Sequence, residues 1–233
     1  MAYFDNYSEE YKNLLAKHTG TSPGSDLTFF ARQKAHHLRR ALPDPLAVHS
    51  ILDFGCGIGM AVRPLHLAFP KARITGVDPS TKSLDIAAQE HKDINTRLIP
   101  LADFNADPSI GNFDLIVISC VLHHIECDQH SAVLQSLRHR CSPTGKIAIF
   151  EHNPLNPLTL KTVRDCPFDE GVTLIRASQG RALLKSSGWD NVQKRYITFV
   201  PPTLSKYKAC EDWLPWCPLG GQYMLTAEPA ENA

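Results

Sequence analysis

Three glycines at alternate positions, Gly55, Gly57 and Gly59, closely follow an apolar run that ends in Asp53 and Phe54. A strand that turns sharply into a helix needs glycine where φ is positive or where a ligand lies against the backbone. The exposed N–H groups at the start of the following helix then form a polar cradle for a ligand. This pattern predicts an α/β sheet with a site for a nucleotide-type ligand.

The glycine spacing and the position of the acidic residue decide which ligand is expected. A dinucleotide site needs G-x-G-x-x-G, whereas Met60 stands where that pattern has its last glycine. The pattern D-x-G-x-G-x-G instead resembles motif I of the class I S-adenosylmethionine-dependent methyltransferases. The resemblance implies that Asp53 helps to hold the loop and the amino group of the methionine moiety. It makes the loop residues Gly55, Cys56, Gly57 and Gly59 cofactor-binding.

A second acidic residue ends the next apolar segment. Residues 73–78, between Pro70 and Pro79, are typical of a buried parallel strand that ends in Asp78. A carboxylate at such a strand end can accept hydrogen bonds from both hydroxyls of a ribose. The alternative is a helix N-cap or turn residue, and the two roles are compatible. We expect Asp78 and Pro79 to line the cofactor site.

Asp103 and Phe104 follow a weak third strand at residues 96–101. In the resembling family, an Asp after the third strand bonds the adenine amino group, and a neighbouring apolar residue packs on the ring. The resemblance implies these roles for Asp103 and Phe104, with Asp107 as a rival for the first.

Residues 112–125 read as a strand and a short loop that ends in two histidines. They match the segment of the small-molecule branch of the family in which F-D-x-apolar leads to a leucine and one or two histidines. The backbone at Ser119 and Cys120 is expected to pass under the methionine moiety. Four features in order over residues 51–125 therefore carry the resemblance.

Histidines beyond the predicted strand ends are candidate proton acceptors. A sulfonium methyl group is already activated, so the protein must align the nucleophile, exclude water and, for an O–H or S–H acceptor, help to remove a proton. His124 and His152 rank ahead of His123 as bases, although each could equally cap a helix or fill the site wall. Glu151 and Asn153, at the start of a loop with two Asn-Pro pairs, are expected on the substrate side.

Three N-terminal tyrosines, Tyr3, Tyr7 and Tyr11, lie on or beside a helix predicted at about residues 6–18. They belong to a lid that contacts the sulfonium by cation–π attraction, or they pack on the body of the protein. We expect residues 1–48 to form a helical cap and residues 49–233 one compact cofactor-binding domain.

The alternation of apolar runs and amphipathic stretches predicts a doubly wound, mostly parallel sheet with helices on both faces. The resemblance implies a Rossmann-like α/β fold with seven strands in the order 3-2-1-4-5-7-6 and an antiparallel last strand.

Composition narrows the class of partner. The 24 basic residues balance the 24 acidic residues, which disfavours nucleic acid and favours a small-molecule substrate. The seven cysteines show no metal-ligand spacing and read as small apolar residues. No acidic cluster of the metal-dependent catechol type is evident, so we predict no metal. Without a leader or an apolar span, we expect a cytoplasmic monomer or homodimer.

The sequence therefore predicts a methyltransferase that uses S-adenosylmethionine to methylate an oxygen or nitrogen atom of a small molecule by in-line displacement. One alternative is a non-catalytic binding or interaction module that keeps the cofactor fold. The other is an NAD-dependent oxidoreductase, which Met60 and the glycine register disfavour.

Overall fold

The structure, a computed structural model, describes residues 28–200 and 202–231. Its strands form one seven-stranded sheet in the order β3-β2-β1-β4-β5-β7-β6. The strands are β1 Ser50–Phe54, β2 Arg73–Asp78, β3 Thr96–Pro100, β4 Phe113–Ser119, β5 Cys141–His152, β6 Trp189–Ile197 and β7 Gln222–Pro229. Neighbouring strands among β1 to β5 pair in parallel, and β7 runs antiparallel to both β5 and β6. The predicted fold class, strand order and antiparallel last strand are confirmed.

Helices connect the strands and cover both faces of the sheet. The α-helices are α1 Phe29–Ala41, α2 Val62–Ala68, α3 Thr81–Glu90, α4 Leu101–Ala106, α5 His130–His139, α6 Pro157–Arg164 and α7 Ala177–Ser186. Short 3-10 helices lie at Pro45–Ala47, Leu122–His124, Pro167–Asp169 and Pro202–Trp213. Among the described residues, no helix is both long enough and apolar enough to span a membrane.

Local sequence explains several helix ends. The Ser80 hydroxyl accepts a hydrogen bond from Ser83 N at 3.1 Å and caps α3. Pro64 is the third residue of α2, where its missing N–H leaves no intrahelical bond unmade. Gly188 has φ +81° and ends α7 as predicted, because glycine enters the left-handed region without a Cβ clash.

The core has two halves, one on each face of the sheet. Successive residues of a strand point to opposite faces, so Ile51 packs with α1 and α2 while its neighbour Leu52 packs with α5 and α7. Both side chains are fully buried. A sheet covered on both faces requires nearly continuous apolar strands, which is why strands β1, β2 and β4 were recognisable in the sequence.

The sequence predicts the sixth strand at residues 192–200, and the structure places it three residues earlier, at Trp189–Ile197. Trp189 begins it, fully buried, with its indole N–H donating to the Leu134 carbonyl at 3.1 Å. Thr198 has φ +63°, which breaks the extended conformation and ends the strand. These tertiary contacts, rather than β-propensity, set the bounds Trp189–Ile197.

The buried Glu211 fastens α1 across the carboxyl edge of the sheet. One of its oxygens accepts a hydrogen bond from the Gln33 amide and lies 3.5 Å from His37 Nε2. The other accepts the backbone N–H groups of Phe199 and Val200, at 2.8 and 2.6 Å. Burial raises the pKa of Glu211, but His37 and the backbone N–H groups of Val200 and Phe199 together outweigh it, and the net pKa falls below its usual value.

Residues 1–27 lie outside the described residues, and with them the helix predicted at 6–18 and the tyrosines Tyr3, Tyr7 and Tyr11. The division into a cap of residues 1–48 and a body of residues 49–233 stays a prediction.

Arg140 ties together the loop that follows β3. Its guanidinium donates to the carbonyls of Phe104, Asp107 and Ile110, at 2.7, 3.0 and 2.5 Å. The same group lies 4.0 Å from the centre of the Phe104 ring. One side chain therefore satisfies three backbone acceptors and covers one face of a buried ring.

We predict that Arg140→Ala lowers the free energy of unfolding by about 2–4 kcal/mol, because it removes the partner of three carbonyls. Urea unfolding followed by circular dichroism measures the change. Arg97→Ala, at an exposed position of β3, is the control and should change stability by less than about 0.5 kcal/mol. Equal effects of the two substitutions would contradict the role given to Arg140.

Candidate active site

The carboxyl ends of β1, β2, β4 and β5 meet at one edge of the sheet, where open α/β sheets bind their ligands. The glycine loop follows β1, and its Gly55 and Cys56 N–H groups donate to the Val77 carbonyl at 2.8 and 3.0 Å. Gly55 has φ +76°, and a Cβ there would overlap the Val121 side chain. Gly57 has φ +53°, and no atom of the other described residues beyond its two chain neighbours lies within 4 Å of where a Cβ would be. Within the described part of the chain, the loop therefore presents an open side at Gly57.

Asp78 braces the glycine loop from the end of β2. One carboxylate oxygen accepts Gly57 N at 2.8 Å, and the other accepts Ser80 N at 2.8 Å. These bonds correspond to the turn role that the sequence left open for Asp78. The ribose role, and that of the exposed Pro79, stay predictions.

Asp53 is a buried carboxylate with spare bonding capacity. It is 2% exposed, and its Oδ2 atom has no hydrogen-bond partner among the described residues. Burial and the nearby charge of Asp78 raise its pKa to about 7, against the opposing effect of Lys34. Because an unpaired buried carboxylate is costly, this site suits a cationic group. The amino group of a methionine moiety is such a group, so the residues present fit the expected cofactor.

Lys34 reaches the site from α1, and the sequence analysis missed it. Its ammonium group donates to Ser119 Oγ at 2.8 Å and to Cys120 Sγ at 3.2 Å. A single lysine in a helix ordinarily marks a solvated face, so no sequence signal indicated this position. The packing of α1 alone brings Lys34 over the end of β4.

Cys120 follows β4 directly and has φ +57°, a left-handed conformation that is uncommon for residues other than glycine. The Gln222 side-chain amide donates a second hydrogen bond to its sulfur, with Nε2 at 3.3 Å. Burial raises the pKa of the Cys120 thiol, but the charges of Lys34 and His152 outweigh it and bring the pKa down to about 6. A thiolate at this position is therefore expected at neutral pH.

Glu151, buried at the end of β5, organises the loop after β4. Its Oε1 accepts Val121 N at 3.2 Å and Leu122 N at 2.9 Å, and its Oε2 bonds His123 Nδ1 at 2.5 Å. Burial raises the pKa of Glu151, but His123 outweighs it and holds the pKa below its usual value. Glu151, predicted on the substrate side, thus holds the loop after β4 and the ring of His123 in place.

The three candidate histidines lie together, and they differ in charge. Burial lowers the pKa of His123, but Glu151 and Asp169 reverse the effect and raise it to about 10. Burial and the charge of His123 lower the pKa of His124 to about 4. Burial lowers the pKa of His152 as well, but Cys120 outweighs it and the net pKa lies above the usual value. At neutral pH His123 is charged and His124 is neutral.

Asp169 completes this cluster, and the sequence analysis did not select it. Its Oδ1 atom lies 3.4 Å from His123 Nε2 and 3.5 Å from His124 Nε2. Asp169 ends the 3-10 helix Pro167–Asp169, far along the chain from either histidine. An isolated Asp after an apolar residue carries no spacing signal, so only the fold reveals it.

Other predicted site residues lie elsewhere or hold the scaffold. Asn153 is buried, accepts Leu155 N at 3.1 Å and donates to the carbonyls of Pro218 and Gly220 at 2.9 and 2.7 Å. It therefore shapes its own loop, and its place on the substrate side stays a prediction.

The two residues predicted to contact adenine, Asp103 and Phe104, both lie on α4 but differ in exposure. Asp103 is exposed, as its role requires. Phe104 is 1% exposed and packs between Phe54 and Arg140, which argues against contact between its ring and a bound adenine. Phe104 is buried in the core because α4 packs its apolar face against the sheet.

Comparison with known proteins agrees with this arrangement. Residues 52–147 match the family described as a methyltransferase domain. A protein of Rickettsia prowazekii is 33% identical over 116 residues, 48% of this chain and 46% of the relative. A trans-aconitate 2-methyltransferase of Paracidovorax citrulli is 31% identical over 122 residues, 49% of this chain and 43% of the relative. The chain thus spans less than half the length of these two relatives.

A solved structure of a methyltransferase from Thermotoga maritima shares the whole fold. The TM-score is 0.68 at 14% identity, over 97% of this chain and 98% of that chain. The family match runs from β1 into β5 and so contains the glycine loop, Asp78 and the paired histidines. Residues 52–147 are therefore similar to a methyltransferase domain, and the seven-stranded sheet agrees with the fold that this similarity implies.

Proposed function

We propose that this protein transfers the methyl group of S-adenosylmethionine to an oxygen or nitrogen atom of a small-molecule acceptor. The observation that carries the proposal is the buried Asp53 carboxylate, whose free oxygen lies beside a glycine loop with an open side at Gly57. A folded protein tolerates such a costly group where a ligand compensates it.

Several residues of this chain would hold the cofactor. Asp53 would take the amino group, and Lys34 supplies a positive charge for the carboxylate of the same methionine moiety. Asp78 already accepts hydrogen bonds from two backbone N–H groups. It would accept further hydrogen bonds from the ribose hydroxyls of the cofactor. When bound, the cofactor supplies a methyl group that is already activated by its sulfonium sulfur.

His124 is our candidate for the proton acceptor. It is neutral at working pH because burial and His123 lower its pKa, whereas His123 is already protonated between Glu151 and Asp169. His152 pairs with the Cys120 thiolate and so is less available. The proton of an O–H acceptor would therefore pass to the imidazole of His124, and Asp169, 3.5 Å from its Nε2 atom, would stabilise the imidazolium that forms.

A small carboxylic acid is our candidate class of acceptor. The whole chain has no net charge that would attract a polyanion. The name of one relative, trans-aconitate 2-methyltransferase, supports a small carboxylic acid as the acceptor class. Acids of this kind are the first compounds to test.

Calorimetric titration and a transfer assay test the proposed function. We expect micromolar binding of S-adenosylmethionine and S-adenosylhomocysteine but not of NAD, and transfer of labelled methyl groups to a small organic acid. With a hydroxyl acceptor, His124→Ala should lower kcat by about 10²-fold or more while leaving cofactor affinity unchanged. If neither sulfur ligand binds, the non-catalytic module becomes the better description.

We predict opposite effects of Asp53→Asn on binding and stability. Loss of the charged bond to the cofactor's amino group should weaken binding roughly 10- to 100-fold. The pKa of Asp53 is raised, to about 7 from 3.8, so its ionisation in the folded state costs free energy. The stability it contributes is complete below about pH 4 and falls as the pH rises through 7.

At pH 8 without cofactor, Asp53→Asn should therefore be more stable than the wild type, by about 1–3 kcal/mol. Thermal unfolding at pH 5 and pH 8 measures the difference, which should shrink at the lower pH. Asp85→Asn, at an exposed position of α3, is the matched control. A variant that is less stable at both pH values, yet binds the cofactor normally, would refute the role of Asp53.

We predict that Cys120 alkylation has a midpoint near pH 6, because Lys34 and His152 stabilise its thiolate. Iodoacetamide labelling at several pH values, read by peptide mass spectrometry, gives the profile. Lys34→Met should move the midpoint upward toward the ordinary thiol value of 9.0. The exposed Cys127 is the internal reference, and its profile should not change with that substitution.

A further inference from the structure

Three side chains with metal-ligating atoms converge beside the candidate site. One ligand atom from each of His123, His152 and Asp169 lies within 4.8 Å of the other two. His123 Nε2 is 3.4 Å from Asp169 Oδ1, and the His123 and His152 rings have centroids 5.3 Å apart. The three residues come from the loop after β4, the end of β5 and the 3-10 helix after α6.

These separations suit a transition-metal ion. Zinc lies about 2.0–2.2 Å from imidazole nitrogen and carboxylate oxygen. Two ligands of a tetrahedral ion at that distance are therefore about 3.4 Å apart, which is the observed separation of the His123 and Asp169 atoms. A ligand atom of His152 lies within 4.8 Å of both of these atoms.

The surroundings of His123 are a second, independent observation. Its Nδ1 atom bonds the buried Glu151 carboxylate at 2.5 Å, and the backbone N–H groups of Val121 and Leu122 hold that carboxylate in place. A metal-binding histidine typically donates its other ring N–H to a carboxylate, which fixes the ring and the tautomer. Here the bond directs Nε2 of His123 at Asp169.

We propose that His123, His152 and Asp169 bind one divalent first-row transition ion, of the Zn²⁺ or Fe²⁺ type. Two imidazoles and one carboxylate favour such an ion over Mg²⁺ and Ca²⁺, which prefer oxygen ligands. The sequence predicts no metal because it shows no acidic cluster of the metal-dependent catechol type. The ligands are brought together only by the fold.

The remaining coordination positions would take oxygen atoms of the acceptor. A carboxylate or hydroxyl oxygen on the ion would be oriented beside the methyl site, and a hydroxyl there would lose its proton more easily. This role of the ion rests on the proposed function, whereas metal binding itself does not.

Titration of the full chain with Zn²⁺ and with Co²⁺, in the absence of S-adenosylmethionine, tests the site. We expect one equivalent to bind with micromolar or tighter affinity and Co²⁺ to give visible ligand-field absorption. His152→Ala and Asp169→Asn should each weaken binding at least about 100-fold, and Glu151→Gln about 10- to 100-fold with unchanged stoichiometry. His139→Ala, at an exposed histidine on α5, is the matched control and should bind normally.

A spectroscopic measurement on the wild-type protein tests the ligands without relying on variants, which could fail to fold. Electron paramagnetic resonance of bound Cu²⁺ should show nitrogen coupling from two imidazoles. No binding of any of these ions, or binding that His152→Ala leaves unchanged, would overturn the proposal. Coupling from fewer than two imidazoles, or cobalt–thiolate charge-transfer absorption, would overturn it too. Because no methyl donor is present, failure here is distinct from failure of the proposed function.

Discussion

The buried carboxylate of Glu151 is the contact on which the candidate site depends. It joins the end of β5 to the loop after β4 through two backbone N–H groups, and it fixes the ring of His123 through a third bond. A buried carboxylate is tolerated only when its lone pairs are satisfied. The same bonds that make Glu151 acceptable in the core therefore determine where the histidine cluster points.

A second group of opposite charges lies near the glycine loop. Asp53 and Asp78 bring two carboxylates to the glycine loop, and Lys34 offsets them from α1 while it also stabilises the Cys120 thiolate. The position of Lys34 depends in turn on the contacts between α1 and Glu211. Charged side chains from distant segments thus meet at the carboxyl edge of the sheet. The cost of burying each charge is offset by its neighbours of opposite charge.

Much of the fold was predictable because its signals are local. A doubly covered parallel sheet demands apolar strands, and a strand that turns into a helix demands glycine at positive φ, as at Gly55 and Gly57. Predictions were less accurate where tertiary contacts compete with local pattern. Trp189 moves the start of β6 through its bond to Leu134, and Arg140 holds Phe104 inside the core.

By itself, the sequence determined the sheet, the glycine loop and the acidic residues at the ends of β1 and β2, because each follows from a few consecutive residues. It also placed His123 and His124 after β4 and Glu151 at the end of β5, whereas His152, predicted just beyond that strand, is its last residue. Only the tertiary structure decided which charged groups lie close enough to interact. Lys34 and Asp169 enter the site from segments far away in the chain, and the pKa of each buried group depends on such neighbours. Electrostatic interaction depends on distance in space and burial, which no spacing along the chain records.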